Sequence, residues 1–180
     1  MLAANRKVWP PSGMRTAKNA ESKIYVDGKR NGLTTFWHEN GQKEGEGNFV
    51  DGNENGLHVQ WYANGQKEGD GNFVDGKRDG LYTHWNENGQ ILYEGNYVDG
   101  APHGLTTNWY ENGEKQSEGN FVDGKQEGLG TRWYDNGQKQ SEANIVDGKQ
   151  HGLNTNCDEN GQKLKEETWV DGELVDSNEF

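Results

Sequence analysis

The sequence predicts an all-β fold, an elongated single-layer antiparallel meander of tandem β-hairpin repeats with a period of 24 residues. Two glycine series set this period, and neither contains an insertion or a deletion. The glycine of Val-Asp-Gly falls at Gly28, Gly52, Gly76, Gly100, Gly124, Gly148 and Gly172. The glycine of Asn-Gly (Asp-Asn-Gly or Glu-Asn-Gly in most units) falls at Gly41, Gly65, Gly89, Gly113, Gly137 and Gly161. Such a period is typical of repeat proteins, whose units bury apolar surface by stacking on their neighbours.

Two turn signals divide each unit into two strands, as the unit 33–56 illustrates. Asn40-Gly41 is a strong hairpin signal, because both residues tolerate positive φ. The second turn is predicted to run from Asp51-Gly52 to Gly56, which is again rich in residues that accept left-handed conformations. The strands are then expected at roughly 33–38 and 42–50, close to the usual strand length.

Side-chain alternation selects between two types of Asn-Gly loop. A two-residue loop would pair Trp37 with residue 44 and bring acidic side chains to the tryptophan face. A three-residue loop with a bulge at Gly41 pairs Trp37 with Lys43, and it gathers Leu33, Trp37 and Phe49 on one apolar face. We therefore predict the three-residue loop. The strand glycines expected beneath or beside aromatic rings of that face are Gly47, Gly71, Gly95 and Gly119.

The opposite face of the sheet is expected to be polar. One of its columns varies between units and consists of Thr34, His58, Tyr82, Thr106, Gly130 and Asn154. A second, acidic column is expected beside it and consists of Glu46, Asp70, Glu94, Glu118, Glu142 and Glu166.

The domain organisation follows from where the repeat signature begins and ends. Residues 1–17 lack it and contain Pro10-Pro11, so an irregular segment is expected there. Residues 18–172 form the array, a half repeat plus six units, in which 18–26 is the first strand. Residues 173–180 are expected to be a loose tail. The array then has about 13 strands, which span about 60 Å at the usual strand spacing.

Composition restricts the class of partner and the compartment. The net charge of −12 argues against nucleic acid, disfavours anionic membranes, and suits a basic partner. The single cysteine, Cys157, excludes an intrachain disulfide. No apolar segment has the length of a signal peptide core or a membrane span, so a soluble cytoplasmic protein is expected.

No residue combination predicts catalysis, a cofactor or a metal site. Residues 51–56 open like a calcium loop, but Tyr62 stands where that loop needs a glutamate, so a turn is the better interpretation. His103 and His151 share a column two repeats apart, too far for one metal ion. Cys157 replaces tryptophan in its column, and we interpret it as a small substitute at an apolar position.

The aromatic columns leave two interpretations open. The tryptophans can form the core of the sheet, or they can form an exposed ladder that stacks sugars or an extended peptide; we favour the core. A neighbouring column offers tyrosine, which provides contact area at low entropic cost. The candidate protein-binding residues are His38, Tyr62, Tyr110 and Tyr134.

The segment Asp123–Lys139 carries the pattern Asp-Gly-Lys, Gly-Leu, Trp-Tyr and Asn-Gly-Gln-Lys at fixed spacing. It resembles the variant MORN-repeat family of bacteria, the YwqK-type antitoxin proteins, and the resemblance covers about residues 23–172. It implies hairpin units in an elongated sheet. It also implies protein binding, with neutralisation of a toxin as the specific expectation. The motif defines no binding residues.

The expected function is that of a non-enzymatic protein-binding repeat module, and more specifically an antitoxin or immunity protein whose partner is a basic toxin. A structural or surface-display repeat protein without a specific ligand is the alternative. Binding to membrane lipids is a third hypothesis, against which the charge of −12 counts. The open edges of the sheet also allow two chains to pair.

Overall fold

The computed structural model describes residues 25–180 and confirms the all-β meander. The first two strands form a small hairpin, and the other thirteen form one antiparallel sheet in chain order. The strands are β1 (Tyr25–Val26), β2 (Lys29–Arg30), β3 (Gly32–Trp37), β4 (Lys43–Val50), β5 (Asn53–Trp61), β6 (Lys67–Val74), β7 (Lys77–Trp85), β8 (Ile91–Val98), β9 (Ala101–Trp109), β10 (Lys115–Val122), β11 (Lys125–Trp133), β12 (Lys139–Val146), β13 (Lys149–Cys157), β14 (Lys163–Val170) and β15 (Glu173–Glu179).

The Asp-Gly turns are shorter than predicted. Asp51 and Gly52 have φ values of 50° and 92°, and Val50 pairs with Asn53, so two residues close the hairpin. Positive φ at both central positions is the type I′ geometry, which matches the twist of the flanking strands. Gly56, predicted as the end of the turn, lies inside β5 with a φ of 81° at a point where the register shifts. It therefore marks a bulge.

The Asn-Gly turns have the predicted three-residue loop. The His38 amide donates to the Gln42 carbonyl at 2.9 Å, and the Gly41 amide donates to the His38 carbonyl at 2.9 Å. Trp37 pairs with Lys43, as the loop type requires.

A bulge just beyond this loop reverses the predicted assignment of side chains to faces. After Trp37–Lys43 the next pair is Phe36–Gly45, so Glu44 has no partner in the register. Every following side chain of β4 therefore lies on the face opposite to the one that an unbroken register would give. The predicted apolar face of Leu33, Trp37 and Phe49 is wrong, because Phe49 lies on the other side of the sheet from the first two.

We name the two faces after their aromatic columns. The Phe side carries Phe49, Phe73, Tyr97, Phe121, Ile145 and Trp169. The Trp side carries Trp37, Trp61, Trp85, Trp109, Trp133 and Cys157.

The Phe side holds the variable polar column, which we had predicted on the face opposite to Phe49. Thr34 pairs with Gly47 and is completely buried, and Asn154 is 8% exposed. His58 lies between two phenylalanine rings, with centroid distances of 5.2 Å to Phe49 and 5.0 Å to Phe73. The reason is the bulge, which places the residues of this column directly across from the strand glycines.

The Trp side is the more regular face, and its tryptophans are half-buried rather than a closed core. Its leucines are 50–61% exposed. The acidic column lies here and not beside the polar column, since Glu46 pairs with Thr35 across the strands. Lys43 Nζ lies 2.7 Å from Glu46 and 5.5 Å from the Trp61 ring centroid, and similar pairs recur in later repeats.

The C-terminal end differs from the prediction. Residues 173–179 form β15, which pairs with β14, so the predicted loose tail at 173–180 is wrong. The cause is one more type I′ turn, with φ values of 52° at Asp171 and 87° at Gly172, which directs the chain back along β14. Of the predicted first strand, Tyr25–Val26 is a short strand and the remainder lies outside the described residues. The predicted irregular segment 1–17 also lies outside them.

Candidate binding surface

The four candidate residues of the aromatic column connect successive repeats through hydrogen bonds. Each side chain reaches the backbone carbonyl that ends the equivalent strand of the next repeat. Tyr62 donates its hydroxyl proton to the Trp85 carbonyl at 2.7 Å, and His38 Nε2 lies 2.7 Å from the Trp61 carbonyl. Tyr110 and Tyr134 do the same at 2.8 and 2.9 Å. Burial raises the pKa of Tyr62, and the nearby carboxylates of Glu68 and Glu87 add to the shift. A binding role for these residues stays a prediction.

A second connection of the same kind accompanies the first. The Asn40 amide donates to the Ala63 carbonyl at 2.7 Å, and the Asn64 amide donates to the Glu87 carbonyl at 2.9 Å. Asn86 stands in the same column as His38 and Tyr62 but differs from them in its hydrogen bonds. Asn86 accepts from the backbone amides of Asn88 and Gln90 within its own turn, and so replaces a connection to the next repeat by a local one.

We expect Asn86→Tyr to raise the free energy of unfolding by about 1 kcal/mol, because it supplies a hydroxyl to the Trp109 carbonyl. Tyr62→Phe, the matched change at an existing connection, should lower it by a similar amount. Guanidinium unfolding of the full chain, followed by tryptophan fluorescence, measures both. Equal stability of Asn86→Tyr and the wild type would contradict the proposed connection.

Variation between repeats is concentrated on the Phe side. The Trp side repeats leucine at Leu33, Leu57, Leu81, Leu105, Leu129 and Leu153 without exception. The Phe side instead carries a different residue in nearly every unit of the column Phe36, Gln60, His84, Asn108, Arg132 and Asn156. The strand geometry is common to all units, so packing of the sheet does not require this diversity. The Phe side is therefore the candidate binding surface.

An arginine–tyrosine cluster lies near the centre of the Phe side. The Arg78 guanidinium carbon lies 3.9 Å from the Tyr82 ring centroid and 5.4 Å from that of Tyr97. The Tyr93 and Tyr97 hydroxyls are 2.6 Å apart, and His84 lines the same shallow pocket. Cation–π contacts of this geometry hold the guanidinium over the rings without neutralising its charge.

Strand glycines provide the floor of this surface. A methyl group at Gly71 would lie 2.8 Å from the Tyr82 ring, and one at Gly47 would lie 2.2 Å from the His58 ring. The prediction that these glycines lie beneath rings is confirmed at both positions, but the rings belong to the Phe side and not to the tryptophans. At Gly119 the neighbour is the Gln126 amide, so no ring covers that glycine.

The cluster makes stability depend on alkaline pH. Burial raises the pKa of Tyr82, and burial together with the hydrogen bond to Tyr97 raises the pKa of Tyr93. The native state therefore keeps these protons when the unfolded chain has lost them. Their contribution is complete below the ordinary tyrosine pKa of about 10 and is lost as the pH rises above it.

We expect the urea midpoint of the wild type to fall more steeply between about pH 9 and pH 11 than that of Tyr93→Phe, which cannot ionise. Tyr25→Phe, an exposed position at the end of the array, is the control for the general effect of high pH. If Tyr93→Phe kept the full pH dependence of the wild type, the assignment to this cluster would be wrong.

The described residues contain no arrangement suited to metal chemistry, because residues 25–180 bring no three His, Cys, Asp or Glu side chains together. In the same residues, no helix is long and apolar enough to cross a membrane. Cys157 is half-buried at the end of β13. What the Phe side offers is an open surface with aromatic faces, amides and guanidinium groups, and such groups suit recognition.

The period, the two recurrent turns and the single-layer sheet define a tandem β-hairpin repeat protein. Comparison with known families agrees with this class. Residues 30–51, 78–99 and 102–123 match the MORN repeat variant, and residues 70–81 and 118–139 match the MORN repeat. The chain belongs to the MORN-repeat family, whose repeats generally form non-catalytic modules. No curated protein matches the chain. The antitoxin assignment stays a prediction.

Proposed function

We propose that this MORN-repeat chain is a protein-binding module whose Phe side is the recognition surface, and that it acts as an antitoxin or immunity protein. The observation that supports binding is the contrast between the faces. Side chains that build the repeat are nearly constant on the Trp side, whereas most side chains that differ between units are on the Phe side. A purely structural array has no need of such a contrast.

The proposal of an antitoxin rests on the resemblance to YwqK-type proteins and on charge. At −12 the chain attracts basic proteins over a distance, which raises the rate of encounter with them. The candidate residues His38, Tyr62, Tyr110 and Tyr134 directly follow the strands that end at the Asn-Gly turns, so they are proposed as the rim of the same surface. The proposed place of action is the cytoplasm.

The test is capture of a partner from a lysate of the source organism, read by quantitative mass spectrometry with three baits. The wild type is compared with a Phe-side variant, Gln60→Trp with Arg132→Trp, and a Trp-side variant, Leu57→Trp with Leu129→Trp. All four positions are exposed. Each Phe-side change has a Trp-side control in the same strand, Leu57 for Gln60 in β5 and Leu129 for Arg132 in β11.

We expect one stoichiometric partner with the wild type and the Trp-side variant, and its loss with the Phe-side variant. A partner with a toxic domain supports the antitoxin form of the proposal. Loss with the Trp-side variant alone would move the recognition surface to the other face. Capture of nothing by well-expressed bait would favour a structural array.

A further inference from the structure

All three arginines of the described residues lie on the Phe side. Arg30 lies over the rings of Phe36 and Phe49, at 5.4 and 4.7 Å from their centroids, and Arg78 lies over Tyr82. Arg132 follows on β11, across from Ser117 and Ser141 of the neighbouring strands. In a chain of net charge −12, a face that collects every described arginine has the opposite local charge.

The carboxylates of the Phe side do not neutralise these arginines. Glu54 lies 3.6 Å from His58 Nδ1, and Glu167 is paired with Lys165 at 2.6 Å. Within residues 25–180, none of the three arginines forms an ion pair with a carboxylate. The Trp side differs, because the lysines beside its tryptophans are paired with the acidic column, for example Lys67 with Asp70 at 2.7 Å. Its lysines that form no ion pair with another described residue, Lys125 and Lys149, stand at the Asp-Gly turns. The unpaired guanidinium charge of the described residues is therefore on the Phe side.

We propose that the Phe side binds an extended acidic segment of a partner protein, and that Arg78 with Tyr82 and Tyr97 is the principal contact. This inference rests on the proposed function of the Phe side as a recognition surface. A guanidinium already held over two rings loses little freedom on binding a carboxylate, and its donors remain available. Tyr82 and Tyr97 add apolar contact beside the charge.

The spacing of the arginines favours a peptide over a nucleic acid. Arg30, just before β3, and Arg78 of β7 occupy the same position of their repeats, four strands apart, which is about 19 Å at the usual strand spacing. Arg132 lies four strands beyond Arg78 but at the opposite end of its strand, near the Asn-Gly turn. An extended peptide covers about 19 Å in roughly six residues. Sparse carboxylates at such intervals fit the surface. A nucleic acid carries a phosphate on every nucleotide and needs a dense row of cations, which the remainder of this acidic chain would repel.

The charge of the chain acts on a partner at two different ranges. The net charge of −12 acts at long range and draws basic proteins toward the chain. At contact distance the local charge of the Phe side decides which groups bind, and its arginines require an acidic segment. The partner is then a protein in which an acidic segment stands apart from the remaining surface.

The test uses the full chain and a fluorescent glycine-serine peptide of about 14 residues with glutamates about six positions apart, read by anisotropy at low salt. A peptide with lysines at the same positions and a thymidine oligonucleotide of equal length are the competing probes. We expect the acidic peptide to bind most tightly and Arg78→Gln to weaken it about tenfold, as for the loss of one charge-assisted hydrogen bond. Lys67→Gln, the matched change on the Trp side, should leave binding unchanged.

A signal specific to the site accompanies the affinity. The side-chain Nε–H resonance of Arg78 should shift when the acidic peptide is added to isotopically labelled chain. Tighter binding of the lysine peptide or of the oligonucleotide would overturn the inference, and so would equal effects of Arg78→Gln and Lys67→Gln. A captured partner that is unaffected by Arg78→Gln but lost with the Phe-side tryptophan variant would overturn the acidic segment alone and leave the proposed function standing.

Discussion

Gly47→Ala is expected to lower the free energy of unfolding by about 2 kcal/mol, a typical cost of overpacking. The added methyl group would lie 2.2 Å from the His58 ring, which is closer than any real contact. The ring cannot move aside without loss, since its Nε2 is 2.9 Å from the Asn48 carbonyl and the ring lies between those of Phe49 and Phe73. Urea unfolding followed by circular dichroism measures the change.

The matched control for this prediction is in the same strand. A methyl group at Gly45 meets the Phe36 ring at 3.4 Å and little else, so Gly45→Ala should stay within about 0.5 kcal/mol of the wild type. The chain also contains a natural counterpart, because Ala143 pairs with Asn154 at the equivalent position of a later repeat. Combining Gly47→Ala with His58→Asn reproduces that pair and should recover part of the loss. Additive losses in the double variant would contradict the ring-over-glycine contact.

Thr34→Val is expected to raise the free energy of unfolding by about 1 kcal/mol. The Thr34 side chain is completely buried, and its hydroxyl has no hydrogen-bond partner among the described residues. A buried polar group without a partner is costly, and replacing it by an apolar group of the same shape removes that cost. Guanidinium unfolding at neutral pH gives the difference.

The neighbouring residue provides the control for this second prediction. Thr35 is also buried, but its hydroxyl donates to Glu46 Oε2 at 3.1 Å, so Thr35→Val should destabilise the chain. The buried hydroxyl therefore lowers stability at Thr34, on the Phe side, and raises it at Thr35, on the Trp side. If Thr34→Val lost stability as Thr35→Val does, the hydroxyl of Thr34 would have a hydrogen bond in solution.

The turns could be predicted from the sequence because each depends on local chemistry. Asn40-Gly41 and Asp51-Gly52 each specified a turn at the correct place. The three-residue type of the Asn40-Gly41 loop is also correct, but the grouping of Leu33, Trp37 and Phe49 that selected it is not found in the structure. The length of that second turn was overestimated, because Gly56 adopts positive φ in a strand bulge as well as it would in a turn. Glycine shows where the backbone is left-handed, but not whether a turn or a bulge uses it.

The faces could not be predicted, because one unpaired residue changes the side of every later side chain. Glu44 carries no sequence signal for a bulge, and the apolar grouping of Leu33 with Phe49 favoured an unbroken register. The strand glycines contained the better signal. Gly45 and Gly47 leave space for rings, and His58 and Tyr82 of the variable column supply rings in the correct strands.

The candidate surface depended on the faces in the same way. Arg78 lies two residues after the Asp75-Gly76 turn, and the sequence around it does not indicate a contact with Tyr97, nineteen residues later. The arginines become a group only when the bulge has placed their columns with Phe49 and Phe73. The tyrosines that the sequence indicates as binding residues donate hydrogen bonds to the next repeat, and the 24-residue spacing alone does not predict these bonds.

The assignment of residues to the Phe side and the Trp side underlies both the proposed recognition surface and the acidic-segment inference. The most direct measurement is a nuclear Overhauser spectrum of the labelled chain, observed at the Gly47 α-protons. We predict cross-peaks to the ring protons of His58 and none to a tryptophan ring. In an unbroken register Gly47 would lie across from Leu33, so cross-peaks to the Leu33 methyl groups in place of His58 would contradict the division of the sheet into these two faces.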